Sequence, residues 1–118
     1  MSFLSQLLSG GAGGVISAQE AHERIAAAQA QGEELIVLDV RTPAEYRQVR
    51  IPGAVLLPVD ELSRRASTEL PNKDVPILVY CQSGGRAGNA VSQLKSLGYS
   101  DVVSFGGIMQ WPFETVSG

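Results

Sequence analysis

The chain has 118 residues, 44% apolar and 18% charged, which suits one domain with an ordinary core. A single cysteine rules out an internal disulfide, and with one histidine beside it no metal site is expected. A formal net charge of −3 argues against nucleic-acid binding, and no apolar run approaches the ~20 residues that span a bilayer.

The opening stretch, MSFLSQLLSGGAGG, carries a short apolar patch at Phe3, Leu4, Leu7 and Leu8 with no Lys or Arg before it, unlike a secretory signal. Residues 1–13 read as a flexible tail, residues 14–118 as the domain, and the cytoplasm is the expected location. Val15 and Ile16 read as a short first strand. Ser17 is an N-cap with Glu20 three residues on, and Ala18, Ala21, Ile25 and Ala28 follow helical spacing up to a stop at Gly32.

Leu35 to Leu38 is an unbroken apolar run, as expected of a strand covered on both faces, with Asp39 at its end. Thr42, Pro43 and Glu45 signal a second helix start, and a capping role accounts for Glu45. Pro52 and Gly53 turn the chain into a strand over 54–57. Asp60 is expected to cap a helix running to about Leu70. Ile77 to Tyr80 is a further buried strand, ending at Cys81. A helix follows with Ala87, Ala90, Val91, Leu94 and Leu97 along one stripe and Gly98 as its stop. Residues 101–105 form the last strand, and GGIMQW starts a short final helix that Pro112 ends.

Apolar strands alternating with amphipathic helices predict an α/β fold: an open, mainly parallel, five-stranded sheet with helices on both faces. Ligands bind such sheets beyond the carboxyl ends of the strands, where Asp39 and Cys81 fall.

The segment CQSGGRAG, from Cys81 to Gly88, has the parts of an anion-binding nucleophile loop. Gly84 and Gly85 let the backbone curl so that successive N–H groups point inward, and the helix that follows adds its positive end. Ser83 supplies a hydroxyl, and Arg86 a permanent charge with planar donors. Such surroundings favour the thiolate, the reactive form of cysteine. The competing reading is a buried, inert thiol. A phosphatase loop places five residues between its Cys and Arg. Here there are four, a smaller cradle that favours sulfur-centred chemistry over phosphoryl transfer. His22 lies on the first helix, away from any strand end, and reads as a solvated residue.

Four blocks, LDVRTPAEY (38–46), IPGAVLLPVDEL (51–62), VYCQSGGRA (79–87) and FGGIMQW (105–111), stand in an order and spacing that resembles a single-domain rhodanese, a sulfurtransferase; the likeness runs over roughly residues 14 to 113. The resemblance implies that Cys81 carries the transferred sulfur as a persulfide. Gln82, Ser83, Gly84, Gly85 and Arg86 would complete a six-residue loop whose amides face that sulfur. Arg86 would help hold an anionic donor such as thiosulfate, and cyanide or a thiol, free or on a protein, would accept the sulfur. Asp39 would lie beside the loop, orienting it or pairing with an arginine; a purely structural Asp39–Arg41 pair at the sheet edge is the alternative. Tyr46, Phe105 and Trp111 are expected to pack. Arg50 stands where the family often has a His, and residues 112–118, PFETVSG, replace its usual Gly-rich closing segment. The resemblance implies no cofactor and no membrane partner, and a monomer is the simplest expectation. A non-catalytic binding or regulatory module and a small phosphatase or arsenate reductase are the competing functions.

Overall fold

The computed structural model describes residues 14–118. The tail expected over residues 1–13 therefore lies outside the described residues. Strands β1 (Ile36–Asp39), β2 (Val55–Leu56), β3 (Ile77–Cys81) and β4 (Val102–Gly107) form one sheet, and helices α1 (Ala18–Gln31), α2 (Pro43–Gln48), α3 (Leu62–Glu69) and α4 (Gly85–Ser96) connect or flank them. The strand order is β2-β1-β3-β4, with every pairing parallel.

The expected fifth strand is reduced to a single parallel bridge. Val15 pairs with Ser104 beside β4, the Ile16 N–H donating to the Ser104 carbonyl at 2.8 Å. The reason is local. Gly14 turns with φ of 88°, and Ser17 already caps α1, its hydroxyl accepting from the Glu20 N–H at 3.0 Å. Two residues between a turn and a cap cannot extend a ladder.

The middle strands are covered on both faces, as their apolar runs require. Leu38, Ile77, Val79 and Cys81 point toward α3 and α4, where Leu62, Ala66, Ala87, Ala90, Val91 and Leu94 complete one core. Val37, Leu78, Tyr80, Val103 and Phe105 point the other way, against Ala21 of α1, Ile51, Ala54, Ile108 and Trp111. Period-two alternation thus sends Cys81 to one face and its neighbour Tyr80 to the other.

Helix boundaries follow their chemical signals with two exceptions. Gly32 closes α1 in the left-handed conformation, its N–H reaching back to Ala28 and Gln29. Thr42 and Glu45 form a complete capping box on α2, with Pro43 in the first turn. Asp60, however, makes no cap. It sits inside a 3-10 turn, Val59–Glu61, and α3 begins only at Leu62. The expected final helix is likewise a 3-10 turn, Ile108–Gln110, because β4 continues to Gly107 and leaves too little chain before Pro112.

Arg50 ties down the C-terminal segment. Its backbone exchanges hydrogen bonds of 2.8 Å with Val116, its guanidinium donates to the Gly118 carbonyl at 2.8 Å, and it lies 4.6 Å from the centre of the Tyr46 ring. Among the described residues no helix is long and apolar enough to cross a membrane.

Candidate active site

Cys81 ends β3 and Gly85 begins α4, so the segment between them must reverse direction within three residues. Gly84 makes this turn with φ of 123°, a conformation that any side chain would strain, and a Cβ built there would lie 3.6 Å from the Gly106 Cα. The sulfur sits inside the curl. The Gly84 N–H donates to Cys81 Sγ at 3.0 Å and the Ala87 N–H donates at 3.3 Å, while the carbonyl of Gly106 lies 4.0 Å away. Cys81 is buried, as an inert core thiol would be. Its sulfur nevertheless accepts from two amides, one of them in the first turn of α4, so it faces the N-terminal end of that helix.

A second segment holds the loop from outside. Between Val79 and Cys81 the β3–β4 register shifts, Val79 facing Ser104 and Cys81 facing Gly107. The extra residue on β4 is a bulge with Gly106 at φ of 89°, its N–H bonded to the Ser104 hydroxyl at 3.1 Å. The bulge brings Gly107 against the loop. A Cβ built on Gly107 would lie 2.1 Å from the Gln82 carbonyl oxygen, so no larger residue fits. The Met109 N–H then donates to that same carbonyl at 3.2 Å. From sequence, Ala87 falls on the apolar stripe of its helix, and Gly106 and Gly107 at the start of the final helix, not in the site. The glycine pair after an apolar strand was the available signal for a bulge or close approach.

Two ion pairs flank the loop. In the first, Arg41 and Asp39 are both buried, Arg41 Nη2 lying 2.7 Å from Asp39 Oδ2 and Nε 3.0 Å from Oδ1. Arg41 also donates to the Gln82 side-chain oxygen at 3.2 Å and the Val49 carbonyl at 2.6 Å. The Tyr80 hydroxyl donates to Asp39 Oδ2 at 2.7 Å and accepts from the Ile51 N–H at 3.2 Å. The pair read as a sheet-edge support is therefore present at the carboxyl end of β1, but it is buried, and through Gln82 it reaches the loop. Burial pushes the Arg41 pKa down, but hydrogen bonding and the charge of Asp39 more than offset this and hold it above the ordinary arginine value. Burial first, and then the bond to Asp39, raises Tyr80 well above the usual phenol value.

The second pair was not anticipated. Glu45 caps α2 as expected, its Oε1 accepting from the Thr42 N–H at 2.9 Å. The same carboxylate also grips Arg86 with both oxygens, Oε1 to Nη1 at 2.9 Å and Oε2 to Nη2 at 3.0 Å. The two side chains stay partly open to solvent, 29% exposed for Glu45 and 37% for Arg86. The Arg86 hydrogen bonds hold the Glu45 carboxyl down at about 2, against an opposing push from burial. Glu45 in turn raises Arg86 above the ordinary arginine value, with smaller contributions from Cys81 and Asp39.

Of the remaining loop residues, Ser83 and Gly85 are exposed. Tyr46, Phe105 and Trp111 pack, the Tyr46 hydroxyl donating to the Ala54 carbonyl at 2.7 Å. His22 is exposed but stacked on Phe113 at 3.9 Å between ring centres. Among the described residues no three His, Cys, Asp or Glu side chains gather so as to hold a metal ion.

The chain is similar to known proteins in sequence and fold. The family model for the rhodanese-like domain covers residues 17–112. Thiosulfate sulfurtransferase PspE of Escherichia coli (strain K12) is 35% identical over 81 residues, 69% of this chain and 78% of that protein. A sulfurtransferase of Allochromatium vinosum is 41% identical over 83 residues, 70% of this chain and 76% of that protein. Among solved structures, a rhodanese with anions from E. coli superposes with a TM-score of 0.67 at 33% identity, covering 71% of this chain and 99% of that one.

Proposed function

The chain belongs to the rhodanese-like domain family, and on that premise we propose that it is a sulfurtransferase working through a persulfide on Cys81. The observation that carries the reading is the pair of N–H groups, from Gly84 and Ala87, directed at the Cys81 sulfur. The relatives' names, thiosulfate sulfurtransferase and sulfurtransferase, support the reaction class.

In the first step the Cys81 thiolate attacks the outer sulfur of a sulfane donor. A new sulfur–sulfur bond forms, the donor's own breaks, and its electron pair leaves with the remainder: sulfite when the donor is thiosulfate. The loop amides hold the negative charge as it moves from the thiolate to the outer persulfide sulfur. In the second step a nucleophile, cyanide or a thiol, takes the outer sulfur and returns the thiolate, so the cycle is ping-pong covalent catalysis. Asp39, Arg41 and Tyr80 act through Gln82 as positioning residues. Arg86 is the loop's cation.

Mass spectrometry after incubation with thiosulfate tests the reading. The wild type is expected to gain one sulfur atom on Cys81, released on adding cyanide, and Cys81→Ala is expected to gain none. A folded wild-type protein that takes no sulfur from any sulfane donor would instead be a non-catalytic binding module.

A further inference from the structure

Two guanidinium groups belong to the loop or bond to it, and both are already occupied by carboxylates. Arg41 is 1% exposed, and its donors are taken by Asp39, Gln82 and Val49. Arg86 is the one that reaches solvent, yet both its terminal nitrogens face Glu45. Glu45 is itself fixed from behind by the Thr42 amide and hydroxyl, so the carboxylate is a built part of the site rather than a swinging surface side chain. Beside the sulfur, positive charge is thus matched by negative charge, and the loop amides and the α4 N-terminus carry the remaining attraction for an anion.

This balance acts differently on the two chemical kinds of sulfane donor. Thiosulfate is a dianion with a three-oxygen face suited to a guanidinium fork. To use that fork it must displace Glu45 or approach a carboxylate, and like charges repel at such a contact. A persulfide carries one charge as RSS− and none as RSSH, the form whose outer sulfur a thiolate attacks, and it presents no oxyanion. It needs only the amides.

Resting on the sulfurtransferase reading, we propose that Glu45 is the residue that sets donor class, screening Arg86 so that persulfides, with one charge or none, are favoured over dianionic thiosulfate. The persulfide reaction balances without a further reagent. The Cys81 thiolate attacks the outer sulfur of RSSH, Cys81 gains that sulfur and its hydrogen, and RS− leaves with the electron pair of the broken S–S bond. Glu45 touches no reacting atom in this step; it acts on the donor through Arg86.

The test compares the second-order rates at which thiosulfate and 2-hydroxyethyl persulfide add sulfur to Cys81, followed by mass spectrometry in the wild type, Glu45→Gln and Glu45→Asp. Glutamine removes the charge and keeps the α2 capping box, since either Glu or Gln serves at that position. The thiosulfate-to-persulfide rate ratio is expected to rise about threefold to tenfold in Glu45→Gln, the scale of one partly screened charge near an anion. It should stay within about twofold of wild type in Glu45→Asp, which keeps the charge but not the two-point grip. An unchanged or lower ratio in Glu45→Gln overturns the proposal, because Glu45 would then be aligning Arg86 for the dianion. Equal shifts in both variants also overturn it, since geometry rather than charge would be responsible. These failures leave sulfur on Cys81. Failure of the sulfurtransferase reading shows as no sulfur on Cys81 from either donor in any variant, and the proposal falls with it.

Discussion

The two ion pairs beside the loop share a chemistry and differ in surroundings. Asp39–Arg41 lies between β1 and the loop, sealed from water, with Tyr80, Gln82 and Val49 completing its hydrogen bonds. Glu45–Arg86 joins the start of α2 to the start of α4 across the surface, with water on one side. A buried charge without its partner is costly, whereas an exposed pair contributes little to stability because water replaces it. The buried pair is therefore a structural support whose loss is felt throughout the fold, and the exposed pair is free to serve specificity. Breaking each pair in turn separates these roles.

The largest effect is expected from Arg41→Met. Methionine fills much of the volume but leaves the Asp39 carboxylate with the residue-41 backbone N–H and the Tyr80 hydroxyl and no cation, removes the partner of the Gln82 side chain and orphans one acceptor site on Val49. Removing one member of a buried pair costs about 3–5 kcal/mol, a large share of the ~5–15 kcal/mol that stabilises an ordinary domain. Urea unfolding checks this through the transition midpoint. A change under about 1 kcal/mol would mean that water or Tyr80 compensates the carboxylate, and the contrast between the pairs would collapse.

Tyr80→Phe cuts more finely. The ring stays, packed 5.5 Å from Phe105, and only the hydroxyl is lost. Asp39 keeps Arg41, but the Ile51 N–H loses its acceptor. An unsatisfied buried donor costs about 1–3 kcal/mol, so the midpoint should fall by less than in Arg41→Met. Because the phenol reaches the Gln82 side chain by way of Asp39 and Arg41, which stay paired, sulfur loading of Cys81 is expected to survive. A loss as large as that of Arg41→Met would place the phenol, not the ion pair, at the centre of the network.

Residues close in sequence made much of this legible. The apolar runs at Leu35–Leu38 and Ile77–Tyr80 read as strands covered on both faces, and the capping signals at Ser17 and Thr42 are satisfied within three residues. Cys81, Gly84 and Arg86 lie within one turn of chain, so their spacing described the loop directly. What stayed hidden depends on tertiary approach. Glu45 and Arg86 are 41 positions apart, and a complete capping role already accounted for Glu45. Gly107 meets Gln82 only because β4 bulges beside β3. The fifth strand failed for the converse reason: Val15 and Ile16 have strand-forming side chains, but the turn and cap on either side leave them no length. Asp60 looked like a cap, yet the chain spends that position in a 3-10 turn before α3 starts.

The smallest effect, and the one that most sharpens the contrast, is the pH dependence of Glu45→Gln stability. Glu45 is held down from 4.5 to about 2, by Arg86 chiefly and by the Thr42 amide in addition. A carboxyl with a depressed folded-state pKa adds stability that is present in full above its unfolded value and is lost as pH falls through its folded value. The difference between wild type and Glu45→Gln should therefore be constant above about pH 5, shrink between 4.5 and 2, and vanish below 2. Its plateau should not exceed about 1 kcal/mol, because Arg86 faces water and the pair is screened, and 1 M salt should reduce it further. Urea midpoints at pH 7 and pH 3 read both the size and the sign. A plateau near that of Arg41→Met would make Glu45–Arg86 a second structural strut, and a carboxylate needed to hold the fold together could not be the one left free to choose the donor.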